Sequence, residues 1–181
     1  MIFTPKQIIV HHDGVSRKGP SFDIVNDFHK GEHFPLSSLG FYVGYHFWIE
    51  RDGTTIQARK EDELGAHTLG QNYTSLGIGL AGNFDKELPT DAQVAALGAL
   101  LSRLCFAHAI PAQMIFPHRH FNPKTCYGML LSDTWAQQIF AQFELTRIAA
   151  LCAELGVTPV AAVKKKAAGL VARLLAALTR A

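Results

Sequence analysis

A chain of 181 residues with 48% hydrophobic content is long enough to bury one substantial core, and its composition is that of a globular protein and not a disordered one. The net charge is only +2, and the first 150 residues hold no lysine- and arginine-rich stripe with interleaved aromatics, so no nucleic-acid partner is expected. The opening MIFTPKQIIVHHDG has no basic segment leading into a long apolar core and a cleavage site, which predicts cytoplasmic synthesis and retention. Cys105, Cys126 and Cys152 then read as reduced thiols and not as a disulfide framework, with Cys105 and Cys152 as small buried hydrophobes on helices.

In chain order, Ile8-Ile9-Val10 is a β-branched run that predicts a buried strand delivering His11 and His12 to a sheet edge. Successive strand residues face opposite ways, so one of the two histidines suits a metal ligand and the other lies behind it or at the surface. Ser21 is a plausible cap for a helix to about Lys30 with Phe22, Val25 and Phe28 inward and Gly31 at its end, leaving His29 and His33 as solvated polar residues. Residues 44–50 alternate as a strand, and Arg51-Asp52-Gly53-Thr54 is a hairpin turn into Thr55-Ile56-Gln57. Either Tyr45 or His46 can face a cleft at the start of that strand.

Residues 61–72 read as a loop carrying His67, and residues 75–82 as an apolar strand spaced by glycines, where backbone can be approached closely by a neighbour or a ligand. A phosphate loop is not indicated, because no Gly-Lys-Ser/Thr follows. Thr90 caps a helix to about His108 with Val94, Leu97, Leu101, Leu104 and Cys105 inward, and His108 complements its dipole. A short strand follows Pro111 and releases His118, and Asp133 is placed to cap a helix to about Arg147 that carries Trp135, Ile139, Phe140 and Phe143 inward. Helices separate some strands and a tight turn joins others, which predicts an α/β domain over residues 1–147: a mixed β-sheet flanked by helices.

The chemistry concentrates in FPHRHFNPKTCYG, residues 116–128, which sets two histidines, a lysine and a cysteine in a loop. Imidazole and thiolate are the side chains zinc binds best. His118 and Cys126 together with His11 supply two imidazoles and one thiolate, and three protein ligands leave the fourth tetrahedral position to water, as in catalytic zinc sites.

The pieces IIVHHDG, VGYHFWIERDG, GAHTLGQNYTSLGIGLAG, LPTDAQ and PHRHFNPKTC stand in order across about residues 6–145. In this the chain resembles the zinc-dependent N-acetylmuramoyl-L-alanine amidases of the type-2 amidase and peptidoglycan-recognition-protein superfamily, and the phage endolysins among them most. The resemblance implies a Zn²⁺ cofactor held by His11, His118 and Cys126, with His120 outside the histidine-to-cysteine spacing. It implies Tyr45 and Lys124 as catalytic residues that stabilise an oxyanion, and His46 and His67 as substrate-binding residues lining the cleft. The implied substrate is peptidoglycan or a muropeptide, cut at the amide between N-acetylmuramic acid and L-alanine. Cytosolic recycling amidases of this superfamily usually have aspartate as third ligand and a glutamate on the strand matching residues 76–82; this chain has Cys126 and no acid there. Tyr127-Gly128 stands where many members have Pro-Gly. A recycling amidase and a non-catalytic peptidoglycan-binding module are the competing readings. An endolysin would wait in the cytoplasm for a holin-type pore before reaching the wall.

Residues 154–159 interrupt the helical pattern, and residues 148–181 form a C-terminal helical extension. Within it Val160, Val163, Ala167, Leu170, Leu174 and Leu178 recur at helical steps while Lys164, Lys165, Lys166, Arg173 and Arg180 carry only positive charge. Such a basic amphipathic helix is too charged to span a bilayer. It is expected either to pack on the domain or a second copy, or to meet anionic membrane or wall polymer.

Overall fold

The computed structural model describes residues 3–16, 18–156 and 158. Five strands, β1 (Gln7–His12), β2 (Phe47–Ile49), β3 (Thr55–Gln57), β4 (Ser75–Leu80) and β5 (Ile115–Pro117), form one sheet in the order β3-β2-β4-β1-β5. The hairpin β2-β3 is antiparallel, and every other pairing is parallel. This is the expected mixed sheet, with helices α1 (Phe22–Gly31), α2 (Asp91–His108) and α3 (Trp135–Glu154).

The side-chain period of two divides the sheet into unlike faces. Ile8, Val10, Phe47, Ile49, Leu76, Ile78 and Leu80 share one face and pack against Leu97, Leu101 and Leu104 of α2, with Trp135, Ile139 and Phe140 of α3 at the margin. Each of these fully buried aliphatic side chains contributes roughly 1.5–3 kcal/mol of hydrophobic stabilisation. The opposite face carries Trp48 packed with Phe22 and Val25 of α1.

Local chemistry explains the helix ends. Thr90 accepts from the Gln93 N–H while the Gln93 side chain accepts from the Thr90 N–H, a complete capping box for α2. Ser21 precedes α1 as expected, but its hydroxyl does not cap the helix. Glu50, just beyond β2, does so instead: Oε1 accepts from the N–H groups of Ser21 (2.8 Å) and Phe22 (2.7 Å), and Oε2 from the Ser21 hydroxyl (2.9 Å).

Two expectations need correction. The inward stripe of α1 is Phe22, Val25 and His29, while Phe28 is 64% exposed. Positions 22, 25 and 29 keep to one helical face at steps of three and four, and position 28 turns away from it. His108 stands in the last turn of α2 as expected, and its Nε2 also lies 2.6 Å from Glu61 Oε2. Helix α3 runs to Glu154 and not to Arg147, because the intervening Ile-Ala-Ala-Leu-Cys-Ala-Glu holds no breaker; Gly156, at φ +63°, ends it. Asp133 lies ahead of α3 and accepts from Arg119 Nε.

The chain divides into two compact units, Met1–Ala141 and Gln142–Ala181. The basic helix expected over residues 160–181 lies outside the described residues. No described helix is long and apolar enough to cross a membrane.

Candidate metal centre

β1 runs through the sheet interior with β4 and β5 on either side, and it carries His11 on the face opposite α2. Val10 is in register with Pro117, so the chain leaving β5 enters a short 3-10 turn (His118–His120) with His118 beside His11; their ring centroids are 4.4 Å apart. Cys126 arrives on the following loop, with Sγ 3.8 Å from His11 Nδ1 and 3.5 Å from the His12 N–H. One ligand atom from each of His11, His118 and Cys126 falls within 4.8 Å of the others.

The loop that carries Cys126 is held from both sides. Arg119 donates Nη1 to the Gly128 carbonyl and Nη2 to the Leu131 carbonyl, each at 2.6 Å, and its own N–H to the Cys126 carbonyl, also at 2.6 Å. Asp85 accepts from the Thr125 hydroxyl and the Met129 N–H, both at 2.8 Å. Tyr127, where the resemblance leads one to expect proline, is fully buried and donates its hydroxyl to the Ser132 carbonyl at 2.9 Å, so it anchors the loop in the core. Gly128 at φ +108° passes so close to Phe84 that a side chain there has no room.

The electrostatics suit a cation. Burial, then the imidazoles of His67, His118, His12 and His29, keep His11 well below the ordinary histidine value; burial, then Lys124, lower His118. Both are therefore neutral and able to give a lone pair at neutral pH. Burial pushes the Cys126 thiol up to about 12, so its thiolate needs a positive partner that the described residues supply only weakly, through Lys124 and Arg119. A tetrahedral zinc ion with bonds of ~2.0–2.3 Å holds its ligands ~3.5 Å apart, close to the His11–Cys126 separation. Two neutral imidazoles and a thiol awaiting a cation form a donor set that fits such an ion.

These residues line a cavity of about 330 Å³. Tyr45 and Lys124 line it too: the Tyr45 ring lies 5.0 Å from that of His11, and Lys124 stands exposed at the rim. Burial, then Cys126 and Asp13, raise the Tyr45 hydroxyl far above its ordinary value, so it remains a donor.

His67 lines the cavity, with Nδ1 3.1 Å from His11 Nε2. His46 does not. It is fully buried beneath the cavity wall, where Nδ1 accepts from the Gly77 N–H (3.0 Å) and Nε2 meets the Glu63 carbonyl (2.8 Å). The expected cleft role for His46 is thus not what the structure offers: it ties β4 to the loop after β3. Of Tyr45 and His46, Tyr45 faces the cleft. His120 stacks on Phe116, away from the cluster.

Sequence reasoning missed His29, which lines the cavity, stacks on Phe34 at 4.3 Å, and accepts from the Gly44 N–H through Nδ1. Its helical spacing from Phe22 and Val25 was the available signal. Arg59 was also missed. It is buried and donates to the carbonyls of Pro35 (2.5 Å), Val43 (2.7 Å) and Leu64 (3.3 Å), tying together three segments around the cavity. Nothing local marks a long-range contact of that kind.

Residues 3–129 match the family model described as N-acetylmuramoyl-L-alanine amidase. The endolysin of Klebsiella phage KP32 is 39% identical over 98 residues, which cover 51% of this chain and 64% of that protein; the match thus spans a little under two thirds of that relative. Among solved structures, the N-acetylmuramoyl-L-alanine amidase LysC from Clostridium intestinale superposes with a TM-score of 0.63 at 27% identity, covering 86% of this chain and 88% of that one. A Drosophila PGRP-LB mutant in complex with tracheal cytotoxin gives 0.62 at 27% identity, over 72% and 80% of the two chains. With all five strands of its sheet and the whole His11–His118–Cys126 cluster inside the matched region, this chain belongs to the N-acetylmuramoyl-L-alanine amidase family.

Proposed function

We propose that this protein is a zinc-dependent hydrolase that cuts the amide between N-acetylmuramic acid and L-alanine in peptidoglycan, acting as a phage-type endolysin. The observation that carries this reading is the convergence of His11, His118 and Cys126 on one cavity that Tyr45 and Lys124 also line. The similarity to a phage endolysin and to a protein solved in complex with tracheal cytotoxin supports peptidoglycan or muropeptide as substrate. His11, His118 and Cys126 would hold the zinc. Bound there, zinc would bring the pKa of a water to ~7 and would act as a Lewis acid toward the scissile carbonyl.

The protein's own groups serve the developing oxyanion, while the proton that the attacking water loses passes to the departing amine as the C–N bond breaks. Tyr45, kept protonated by burial, donates a hydrogen bond toward the oxygen on which negative charge develops. Lys124, exposed at the rim, adds a positive charge on the same side as His118, whose neutrality it reinforces. Each such donor is worth ~2–4 kcal/mol of transition-state stabilisation when aimed at that oxygen. Residues 1–147 are proposed as the catalytic domain. Residues 148–181 are proposed as an extension whose basic helix meets anionic membrane or wall polymer after release through a holin-type pore, a reading supported by its sequence alone.

The test is digestion of purified cell wall, with stem peptide released into solution as readout. Release is expected from the wild type, loss with a chelator, and recovery with added zinc. Cys126→Ser should lower zinc affinity and hydrolysis together, by more than the ~10–100-fold typical of removing a mere outer partner of a ligand. Wild-type protein that holds zinc and binds wall fragments but releases nothing would be a recognition module, and the hydrolase reading would fail.

A further inference from the structure

The cluster of ligands leaves two glycines unexplained, and both frame the same side chain. A Cβ on Gly77 would lie 2.6 Å from Cγ and Cδ2 of His67, and one on Gly65 2.5 Å from Cδ2. The imidazole of His67 therefore sits in a slot between two bare stretches of backbone, one on β4 and one in its own loop. The loop is closed beneath it, because Asn72 Oδ1 accepts from the N–H groups of both His67 and Thr68 at 3.0 Å.

Both nitrogens of that ring are turned toward protein. Nδ1 lies 3.1 Å from His11 Nε2 and 3.0 Å from the Thr68 hydroxyl; Nε2 lies 3.5 Å from the Ser75 hydroxyl, which itself donates to the Gln71 carbonyl at 2.7 Å. His11 in turn presents Nδ1 to Cys126 and Nε2 to His67. An imidazole that gives the Nδ1 lone pair to a metal must carry its proton on Nε2, and a buried N–H needs an acceptor. His67 Nδ1 is in position to be that acceptor, which puts the proton of His67 on Nε2, facing the Ser75 oxygen.

We propose that His67 is a positioning residue: slotted between Gly65 and Gly77, it fixes the tautomer and ring orientation of His11 for metal binding and does not serve as a substrate contact. This rests on the reading of His11, His118 and Cys126 as zinc ligands. It departs from the substrate-binding role that the family resemblance implies, because His67 lines the cavity but both its polar atoms face protein and leave none for a ligand.

The test uses the full chain, stripped of metal and titrated with Zn²⁺ against a chromophoric chelator. Parallel Co²⁺ spectra report the ligand field and the Cys126 thiolate charge-transfer band. His67→Ala is expected to weaken zinc binding ~10–100-fold and to shift the cobalt bands. His67→Asn, whose Oδ1 can accept in place of Nδ1, should recover much of that loss. Gly77→Ala keeps every donor and acceptor but pushes the ring out of its slot, so it too should weaken binding. A substrate contact would instead raise KM at unchanged zinc affinity. Unchanged affinity in folded His67→Ala overturns the proposal. Should that variant not fold, unchanged affinity in both His67→Asn and Gly77→Ala overturns it equally. Failure of the wild type to bind zinc would defeat the metal reading itself, and this inference with it.

Discussion

The two faces of one sheet are built on opposite principles. On the face toward α2, Ile8 and Val10 of β1, Phe47 and Ile49 of β2, and Leu76, Ile78 and Leu80 of β4 are large, apolar and buried, and His12 stands at the end of the β1 row. On the other face, the row through His11 reads His11, Gly79, Trp48 and the row before it pairs Ile9 with Gly77. There the backbone is left bare so that rings can lie against it: His67 on Gly77, Tyr45 and Trp48 on Gly79. Alternate residues of a single strand thus serve stability and site construction separately. The division is possible because neighbouring side chains on a strand never share a face.

Ile78 and Gly79, adjacent on β4, allow that division to be broken one side at a time. Ile78 is fully buried in the α2 core, and Ile78→Ala should cost about 2–5 kcal/mol of stability, read from the urea midpoint, while zinc affinity stays at the wild-type value. Gly79→Ala places a Cβ 2.6 Å from Tyr45 Cδ2 and 2.7 Å from Trp48 Cε3. Overpacking should cost a smaller ~1–3 kcal/mol, but displacing Tyr45 should reduce hydrolysis at least about tenfold. A fully active Gly79→Ala protein would show that the bare face is not needed for catalysis.

Acid sharpens the contrast, because the site face holds His46 and His29, two histidines that burial keeps neutral. His46 is held at about 4 against an ordinary 6.5, chiefly by burial with some contribution from Arg59 and against opposing effects of Glu63 and Glu61. His29 is lowered to about 4 by burial and Arg59. Since the folded values lie below the unfolded ones, the unfolded chain binds more protons between pH 6.5 and about 4. The stability conferred by the neutral rings is complete above that window and is lost as pH falls through it. For fully buried His46 the loss is ~3 kcal/mol, and His29 adds in the same direction. Denaturant titrations with a chelator present, so that metal release is not counted, should show this slope, and His46→Gln should flatten it. An identical slope in that variant would remove His46 from the explanation.

What was legible in the chain follows the range of the interaction responsible. The strands and α2 rest on local periodicity and on Thr90 with Gln93, all visible within a few residues. The grouping of His11, His118 and Cys126 was suggested by ligand chemistry and ordered motifs, and it depends on the parallel pairing of β1 with β5. His29 was legible but misread, because Phe28 is the more apolar residue although position 29 keeps the helical step. His46 could not be separated from Tyr45, since the strand begins only at Phe47 and strict alternation does not extend back to them. Glu50, Arg59 and Arg119 act on backbone groups that folding brings to them, and their local sequence carries no sign of it.

Glu50 offers the finest probe of the comparison, because it caps the helix over the site face from beyond β2, where α2 is capped by its own Thr90 and Gln93. Its carboxylate takes three hydrogen bonds at the positive end of α1, two from N–H groups and one from a hydroxyl. Glu50→Gln keeps one acceptor oxygen for the two N–H groups, and the Ser21 hydroxyl can turn to accept from the new amide. Only the charge-assisted part of the interaction is then lost, about 1–2 kcal/mol. If the Glu50 cap acts on α1 alone, amide exchange should quicken in the first turns of α1 and remain unchanged in Leu97–Leu104 of α2. Equal acceleration in both helices would mean that α1 and α2 open as one unit, and that the two faces differ in chemistry but not in how they are held.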